Sequence, residues 1–296
     1  MRFAFAGTHH FGALVLSELL ERGAQVEAVI TRPDKPRGRH GTPQPSEVKE
    51  LAGRHDLPVF QPERLRAELA ADLARAGAGA LAVCAHGAIV PQEVLDAILT
   101  VVTHPSAVPR WRGAAPVERA LMNGETELAV ATLLMTAGVD EGPVGDLRPV
   151  HVPREADAGD AYALLAAPAA ESLLATLAAA EDGSVSWRPQ EGEASYAAKL
   201  GRDDRLVHWS EPAVAIVDRV RALSPAVGAL AVIDGRQLVL WRAAALAEPP
   251  EPGAGDRLVV AAGEGWVEVQ ELQAPGGRRL PAADFLRGAG RWLTQR

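Results

Sequence analysis

Residues 3–31 constrain the fold more than any other stretch. Phe3–Ala6 is a short apolar run ending at Gly7, and Val26–Thr31 is a second apolar run. Between them, from Gly12 to Arg22, Leu14, Leu16, Leu19 and Leu20 recur at helical spacing. Strand, helix, strand is a βαβ unit, and such a unit implies a parallel sheet with right-handed crossovers.

The same alternation continues downstream. Short strands are expected at Pro58–Phe60, Val101–Thr103 and Val130–Met135, and helices at Glu47–Arg54, Glu63–Ala76, Gln92–Ile98 and Ala114–Met122. Ala80–Ala85 is apolar throughout, as a central strand covered on both faces should be. Val144–Val152 reads as extended. Asp160–Ala180 reads as a long helix that Pro168 kinks or divides. Thr31–Ser46 holds four prolines and two glycines, so an irregular, exposed, basic loop is expected there, with Ser46 capping the next helix. Beyond a polar stretch at Glu181–Tyr196 the pattern changes. A helix at Pro212–Leu223 precedes short strands at Gly228–Ile233, Gln237–Trp241, Arg257–Ala261 and Trp266–Gln270, with a hairpin signal at Asp234-Gly235. The expected fold is therefore α/β: a Rossmann-like parallel-sheet domain over residues 1–190, a linker over 191–204, and a small OB-like β-barrel domain over 205–296.

Composition narrows the chemistry. The single cysteine, Cys84, rules out a disulfide framework and a cysteine-based zinc site, and its apolar neighbours mark it as a core residue. The first residues are too short an apolar run for a signal peptide, and no stretch reaches the ~18 apolar residues of a membrane helix. A cytoplasmic protein with no membrane partner is expected. The net charge of −8 argues weakly against nucleic acid, but residues 205–296 carry 11 Lys/Arg against 10 Asp/Glu, so the acidity sits in the first 204 residues. No GxGxxG follows the first strand and no GxxxxGK[ST] occurs, which removes nicotinamide and P-loop chemistry. His9-His10 has no HExxH or matching carboxylates beside it, so no metal is expected.

Parallel sheets bind ligands beyond the carboxyl ends of their strands. Gly7-Thr8-His9-His10, His104-Pro105-Ser106 and Ala137–Asp140 each follow a strand and are expected at one edge. His104 and Asp140 would then form an acid/base pair in which the carboxylate orients the ring and stabilises its charge. With no cysteine nearby and no serine in a nucleophile-elbow setting, direct group transfer suits them better than a covalent intermediate. On spacing alone a histidine at a strand end is as often structural as catalytic.

The stretch His104-Pro105-Ser106-Ala107-Val108-Pro109-Arg110-Trp111-Arg112-Gly113-Ala114-Ala115-Pro116 resembles the signature of the folate-dependent formyltransferases, roughly N-x-H-x-S-L-L-P-R-W-R-G-A-A-P. Ala137–Gly142 resembles their G-L-D-x-G element, and Phe5–Thr8 and Thr31–Gly38 also match. The long W-R-G-A-A-P form, with Tyr196–Leu200 and Arg219–Pro225, is similar to the members that act on methionyl-tRNA. The resemblance covers nearly the whole chain. It implies 10-formyltetrahydrofolate as donor, the α-amine of methionine on initiator tRNA as acceptor, no metal, and a monomer. It further implies His104 as general base or charge stabiliser, with Asp140 orienting it. Ser106, Ala107, Val108 and Pro109 would line the folate site, with His86, Gly87 and Ile89 in its Ala85–Pro91 wall. Arg32, Lys35, Arg37 and Arg39 would meet acceptor-stem phosphates, which position without reading sequence.

One departure stands out. The family's catalytic asparagine falls at Val102, which cannot donate a hydrogen bond to the formyl oxygen. Loss of one such donor typically costs about 10²–10³ in rate. Neighbouring Thr103 faces the opposite side of its strand. Turnover below that of an ordinary member is expected, with folate binding partly retained. The rival readings are an amino-sugar formyltransferase, a catalytically impaired folate- or tRNA-binding homologue, and a hydrolase that releases formate.

Overall fold

The computed structural model describes residues 1–36, 41–250, 257–288 and 290. Two compact units divide the chain: Met1–Pro116, Glu127–His151 and Tyr162–Ala197 form the first, and Val117–Thr126, Val152–Ala161 and Ala198–Arg296 the second.

The first unit begins with β1 (Phe3–Ala6), α1 (His10–Glu21) and β2 (Val26–Ile30), the βαβ opening anticipated from sequence. Then come β3 (Lys35–Pro36), β4 (Pro43–Gln44), α2 (Glu47–Arg54), β5 (Val59–Phe60), α3 (Leu69–Arg75), β6 (Ala80–Cys84), α4 (Gln92–Ala97), β7 (Leu99–His104) and β8 (Arg112–Gly113). After α5 (Pro116–Met122), which belongs to the second unit from Val117 on, follow β9 (Glu127–Leu134), β10 (Val144–His151), α6 (Ala158–Glu181), whose residues up to Ala161 also belong to the second unit, and β11 (Tyr196–Ala197). Seven strands form one sheet in the order β10-β9-β7-β6-β1-β2-β5. Strands β7, β6, β1, β2 and β5 are parallel, whereas β9 is antiparallel to β7 and β10 antiparallel to β9. All residues of β1 and β6 are buried, because helices and loops cover both faces there. On one face Ala4, Ala6, Ala28, Ile30, Leu81 and Val83 pack with Leu69 and Leu73 of α3 and Val94 of α4.

Several expectations change. The loop between β2 and α2 contains a short antiparallel ladder, Lys35–Pro36 against Pro43–Gln44. Prolines are tolerated in so small a ladder because each strand is an edge. Ser46 does cap α2, accepting the Lys49 amide at 3.1 Å. The helix expected over Glu63–Ala76 shrinks to α3, because Leu65 alone among residues 63–68 is buried and nothing else there holds a helical face to the core. Pro168 does not divide α6. Burial of Leu165, Leu173 and Leu177, at roughly 1.5–3 kcal/mol each, outweighs the roughly 3 kcal/mol cost of an internal proline. By length and composition α6 alone among the described helices could cross a membrane, yet these leucines are packed into the core.

In the second unit a 3₁₀ turn (Asp203–Arg205) precedes α7 (Ala213–Leu223), β12 (Ala229–Ile233), β13 (Arg236–Leu246), β14 (Leu258–Ala261), β15 (Trp266–Gln273), β16 (Arg279–Pro281) and α8 (Ala282–Arg287). The sheet is antiparallel, ordered β12-β13-β15-β14 with β16 on β15. Asp234 and Gly235 both take positive φ, 48° and 74°, as the two-residue turn between β12 and β13 requires. Irregular register near Arg242 lets the long β13 twist and the sheet curl, in keeping with the OB-like barrel expected. Ile216, Val220 and Leu223 of α7 and Phe285 of α8 fill its concave side with Leu240, Val267, Val269 and Leu272. Arg221 is buried there, donating to Asp218 at 2.8 Å and toward the carbonyls of Leu121, Glu125 and Ala156 at 3.2–3.4 Å. These bonds tie the two earlier chain segments into this unit.

Candidate active site

Parallel strands β1, β6 and β7 end side by side, with Ala6 opposite Val83 and Cys84 opposite Thr103. Their loops therefore emerge together. The amides of Thr8 and His9 donate to the Ala85 carbonyl at 3.3 and 3.2 Å, joining the first loop to the second. Gly12 lets α1 approach this edge, since a Cβ there would lie 2.8 Å from the Cys84 carbonyl oxygen. Cys84 is fully buried, and burial pushes its thiol pKa up, so it is a core residue and no nucleophile.

Asp140 reaches this edge by an unexpected route. Because β9 runs antiparallel, Leu134 lies opposite Val101, and the Met135–Pro143 connection leaves the sheet where β7 begins. The expectation that Ala137–Asp140 follows a parallel strand is thus corrected. The connection folds back over the sheet, and the Asp140 carboxylate comes to His104, with Oδ2 3.4 Å from Nδ1. Both side chains are largely buried, 6% and 14% exposed. At 3.4 Å the contact is longer than an ordinary hydrogen bond, and it becomes an ion pair only when the ring is protonated. The other ring nitrogen, Nε2, donates to the Trp111 carbonyl at 2.9 Å.

Three residues to which the sequence assigned no role hold this arrangement, Gly113 within the signature stretch and Ser195 and Gln190 outside it. The Gly113 amide donates to Asp140 Oδ2 at 2.9 Å. The Ser195 hydroxyl accepts the Trp111 amide at 2.9 Å, and β11 pairs with β8, so residues 195–197 strap the Trp111–Gly113 backbone. Gln190 donates to the carbonyls of Asp140 and Gly142. Trp111 and Asp140 both take left-handed backbone, φ 59° and 53°, which non-glycine residues adopt only where their surroundings impose it. No motif spacing could have found Gln190, which lies 50 residues from Asp140 in sequence.

Val102 shares its strand face with His104. Its register partners are Val83 and Leu133, and it packs against Val108, Ala131, Leu133 and Val144. Thr103 points to the other face, where its hydroxyl is buried without a hydrogen-bond partner. The strand therefore brings an apolar surface, and no hydroxyl, to the place beside His104.

The residues assigned to the folate wall divide by exposure. Ser106, Val108, Pro109 and His86 are buried, whereas Ala107, Gly87 and Ile89 are exposed, Ile89 by 90%. The Ser106 hydroxyl is spent within its loop, donating to the Arg110 carbonyl at 2.8 Å. His86 Nδ1 lies 3.3 Å from the Thr8 hydroxyl. Burial, with the Arg32 charge beside it, pushes the His86 pKa down to about 4. A cavity of about 450 Å³ is lined by His86, Ala88, Arg32, Asp34, Lys35 and Glu63 among others. It brings His86 together with two of the four cations assigned to phosphate contacts. Asp34 is held below the usual carboxylate range by Lys49 and then Gln61, and Gln61 also donates to the Arg32 carbonyl at 2.9 Å, so the base of this loop is anchored. Arg37 and Arg39 lie outside the described residues. Among the described residues no three His, Cys, Asp or Glu gather as metal ligands.

Comparison with known proteins adds to this geometry. Residues 1–177 match the formyl transferase family and residues 199–290 its C-terminal domain. A methionyl-tRNA formyltransferase of Chromobacterium violaceum is 39% identical over 97% of this chain and 96% of its own length. That of Symbiobacterium thermophilum is 40% identical over 98% of this chain and 93% of its own length. Among solved structures, HypX from Aquifex aeolicus in complex with tetrahydrofolic acid superposes with a TM-score of 0.65 at 22% identity, over 97% of this chain and 47% of that one.

Proposed function

The chain belongs to the formyl transferase family, among its methionyl-tRNA formyltransferases, and from that premise we propose that it moves a formyl group from 10-formyltetrahydrofolate to the α-amine of methionyl initiator tRNA. The observation that carries the reading is the buried His104–Asp140 pair inside the matching signature. The setting suits a folate. Ile89 and Val139 are large apolar side chains, 90% and 62% exposed, on the loops that follow β6 and flank Asp140, and exposed apolar surface beside buried polar groups marks a ligand site.

When bound, the donor would supply a formyl carbon to which the amine nitrogen bonds, while the bond from that carbon to N10 of the folate breaks and the proton the amine gives up ends on the departing N10. His104 is the group able to hold charge or take a proton as the amine attacks, and Asp140 Oδ2 compensates that charge at Nδ1. The Gly113 amide keeps the carboxylate turned to the ring. The buried surroundings strengthen both interactions. Arg32 and Lys35 supply positive charge for the acceptor stem, and initiator tRNA and folate are the partners. We assign the protein to the cytoplasm and to a monomeric state.

Val102 sets the rate. It leaves developing charge on the formyl oxygen without the side-chain donor that an asparagine would place there. Initial rates measured with formyl donor and charged initiator tRNA are expected well below those of the Chromobacterium violaceum relative. Val102→Asn should recover at least about tenfold in kcat, a fraction of what one oxyanion donor is worth. A wild-type kcat equal to the relative's would overturn the role given to Val102. Transfer to an amino-sugar nucleotide in preference to the tRNA would overturn the acceptor. Formate release without tRNA would replace transfer by hydrolysis.

A further inference from the structure

The Asp140 turn has no strand pairing of its own. It sits in the connection that folds back from β9, in left-handed backbone, yet it must present its carboxylate to one ring nitrogen. A single side chain spans it. Gln190 Nε2 donates to the Asp140 carbonyl and to the Gly142 carbonyl, both at 2.8 Å. Its Oε1 accepts from Arg112 Nε at 3.1 Å and Nη2 at 2.8 Å. A carboxamide has two N–H donors and an oxygen with two lone pairs, and here all four capacities are used. The amide orientation is therefore fixed from both sides. Arg112 lies in β8, one residue before Gly113, whose amide holds the same carboxylate. Gln190 thus ties the backbone of the Asp140 turn to the strand carrying the carboxylate's hydrogen-bond donor.

We infer that Gln190 is a positioning residue for the transfer reaction: it touches neither His104 nor the acceptor, and it acts by holding Asp140 against the ring. This inference rests on the proposed formyl transfer. Glu at this position is the discriminating change. It matches the shape and keeps the partner for Arg112, but it cannot donate and it places negative charge against two carbonyl oxygens. Leaving two part-buried carbonyls without donors should loosen the turn while the rest of the unit persists.

The test compares wild type, Gln190→Glu and Gln190→Ala in the full chain. Thermal unfolding checks that each variant folds. Steady-state kinetics should then show kcat reduced at least about tenfold, with KM for both substrates changed less than about threefold, because a misplaced carboxylate affects the step and leaves binding surfaces intact. The ring-nitrogen NMR signals of His104, assigned with a His104→Gln variant, should change in Gln190→Glu, because its Nδ1 loses its fixed partner. Unchanged kcat and unchanged His104 signals in a folded variant overturn the positioning role. If wild type transfers no formyl group but the His104 signals still move with Gln190→Glu, the clamp stands and the proposed reaction falls. A folded variant with raised KM and normal kcat also overturns it, by making Gln190 a binding residue. If Gln190→Glu fails to fold, Gln190→Ala carries the same comparison.

Discussion

Burial behind Thr8 and the neighbouring Arg32 charge leave His86 an unfavourable place for a proton, and its pKa falls to about 4. An unfolded histidine titrates near 6.5. Between these values the unfolded chain binds a proton that the folded chain does not, so this residue's contribution is present above about pH 6.5 and is lost as pH falls toward about 4. His86→Gln removes that component. Its urea midpoint should decline less than the wild type's between pH 6.5 and 4.5, and parallel declines would contradict the argument. The same residue shows how exposure sorts a sequence motif. His86, Gly87 and Ile89 read as one wall, yet the first is buried beneath the surface and the third stands out in solvent.

At the scale of elements, α7 holds the second unit together through one charged pair. Arg221 and Asp218 are 6% and 5% exposed, and the guanidinium also faces three carbonyls. Arg221→Ala would strand a buried carboxylate and those carbonyls. Breaking a buried pair by removing one partner costs roughly 3–5 kcal/mol, to be read from the shift in chemical denaturation. A loss under about 1 kcal/mol would mean that Arg154, which also bonds Asp218 at 2.9 Å, carries the carboxylate alone. Sequence patterning found β1, α1, β2, β6 and α7 because each has an apolar face whose period sets its structure. It missed α8 and β16, which are short and lie in a polar, glycine-containing stretch. It could not find the direction of β9, since an apolar run reads the same in either sense. His104 and Asp140 were legible because they sit in motifs. Gln190 and Ser195 were not, because they lie far from those motifs in sequence, and Gly113, though inside the signature stretch, showed no role because it acts through its backbone amide.

For the whole molecule the charge of −8 poses a problem that a polyanionic substrate makes acute. Binding must come from local cations, with the remaining surface repelling. Each phosphate contact releases counterions, so affinity for the charged tRNA should fall steeply with salt. Neutralising Arg32 or Lys35 should each reduce the slope of log affinity against log salt by about one, measured by filter binding across a salt series. An unchanged slope would remove the loop after β2 from the interface. The two compact units are also interleaved along the chain, since residues 117–126 and 152–161 belong with the C-terminal portion.

That interleaving has a consequence for how the molecule is made. The carbonyl of Leu121 faces Arg221, a residue 100 positions later. On a ribosome adding about 5–20 residues per second, Leu121 waits roughly 5–20 s before its partner exists. Segments 117–126 and 152–161 therefore emerge early and stay unsatisfied until the C-terminal portion is synthesised. The second unit cannot be completed by late synthesis alone, nor can the early part of the chain settle all its residues first. Birth order and structural order differ in this protein, and slowing translation beyond residue 197 should lengthen the interval during which a nascent chain is open to proteolysis at those two segments.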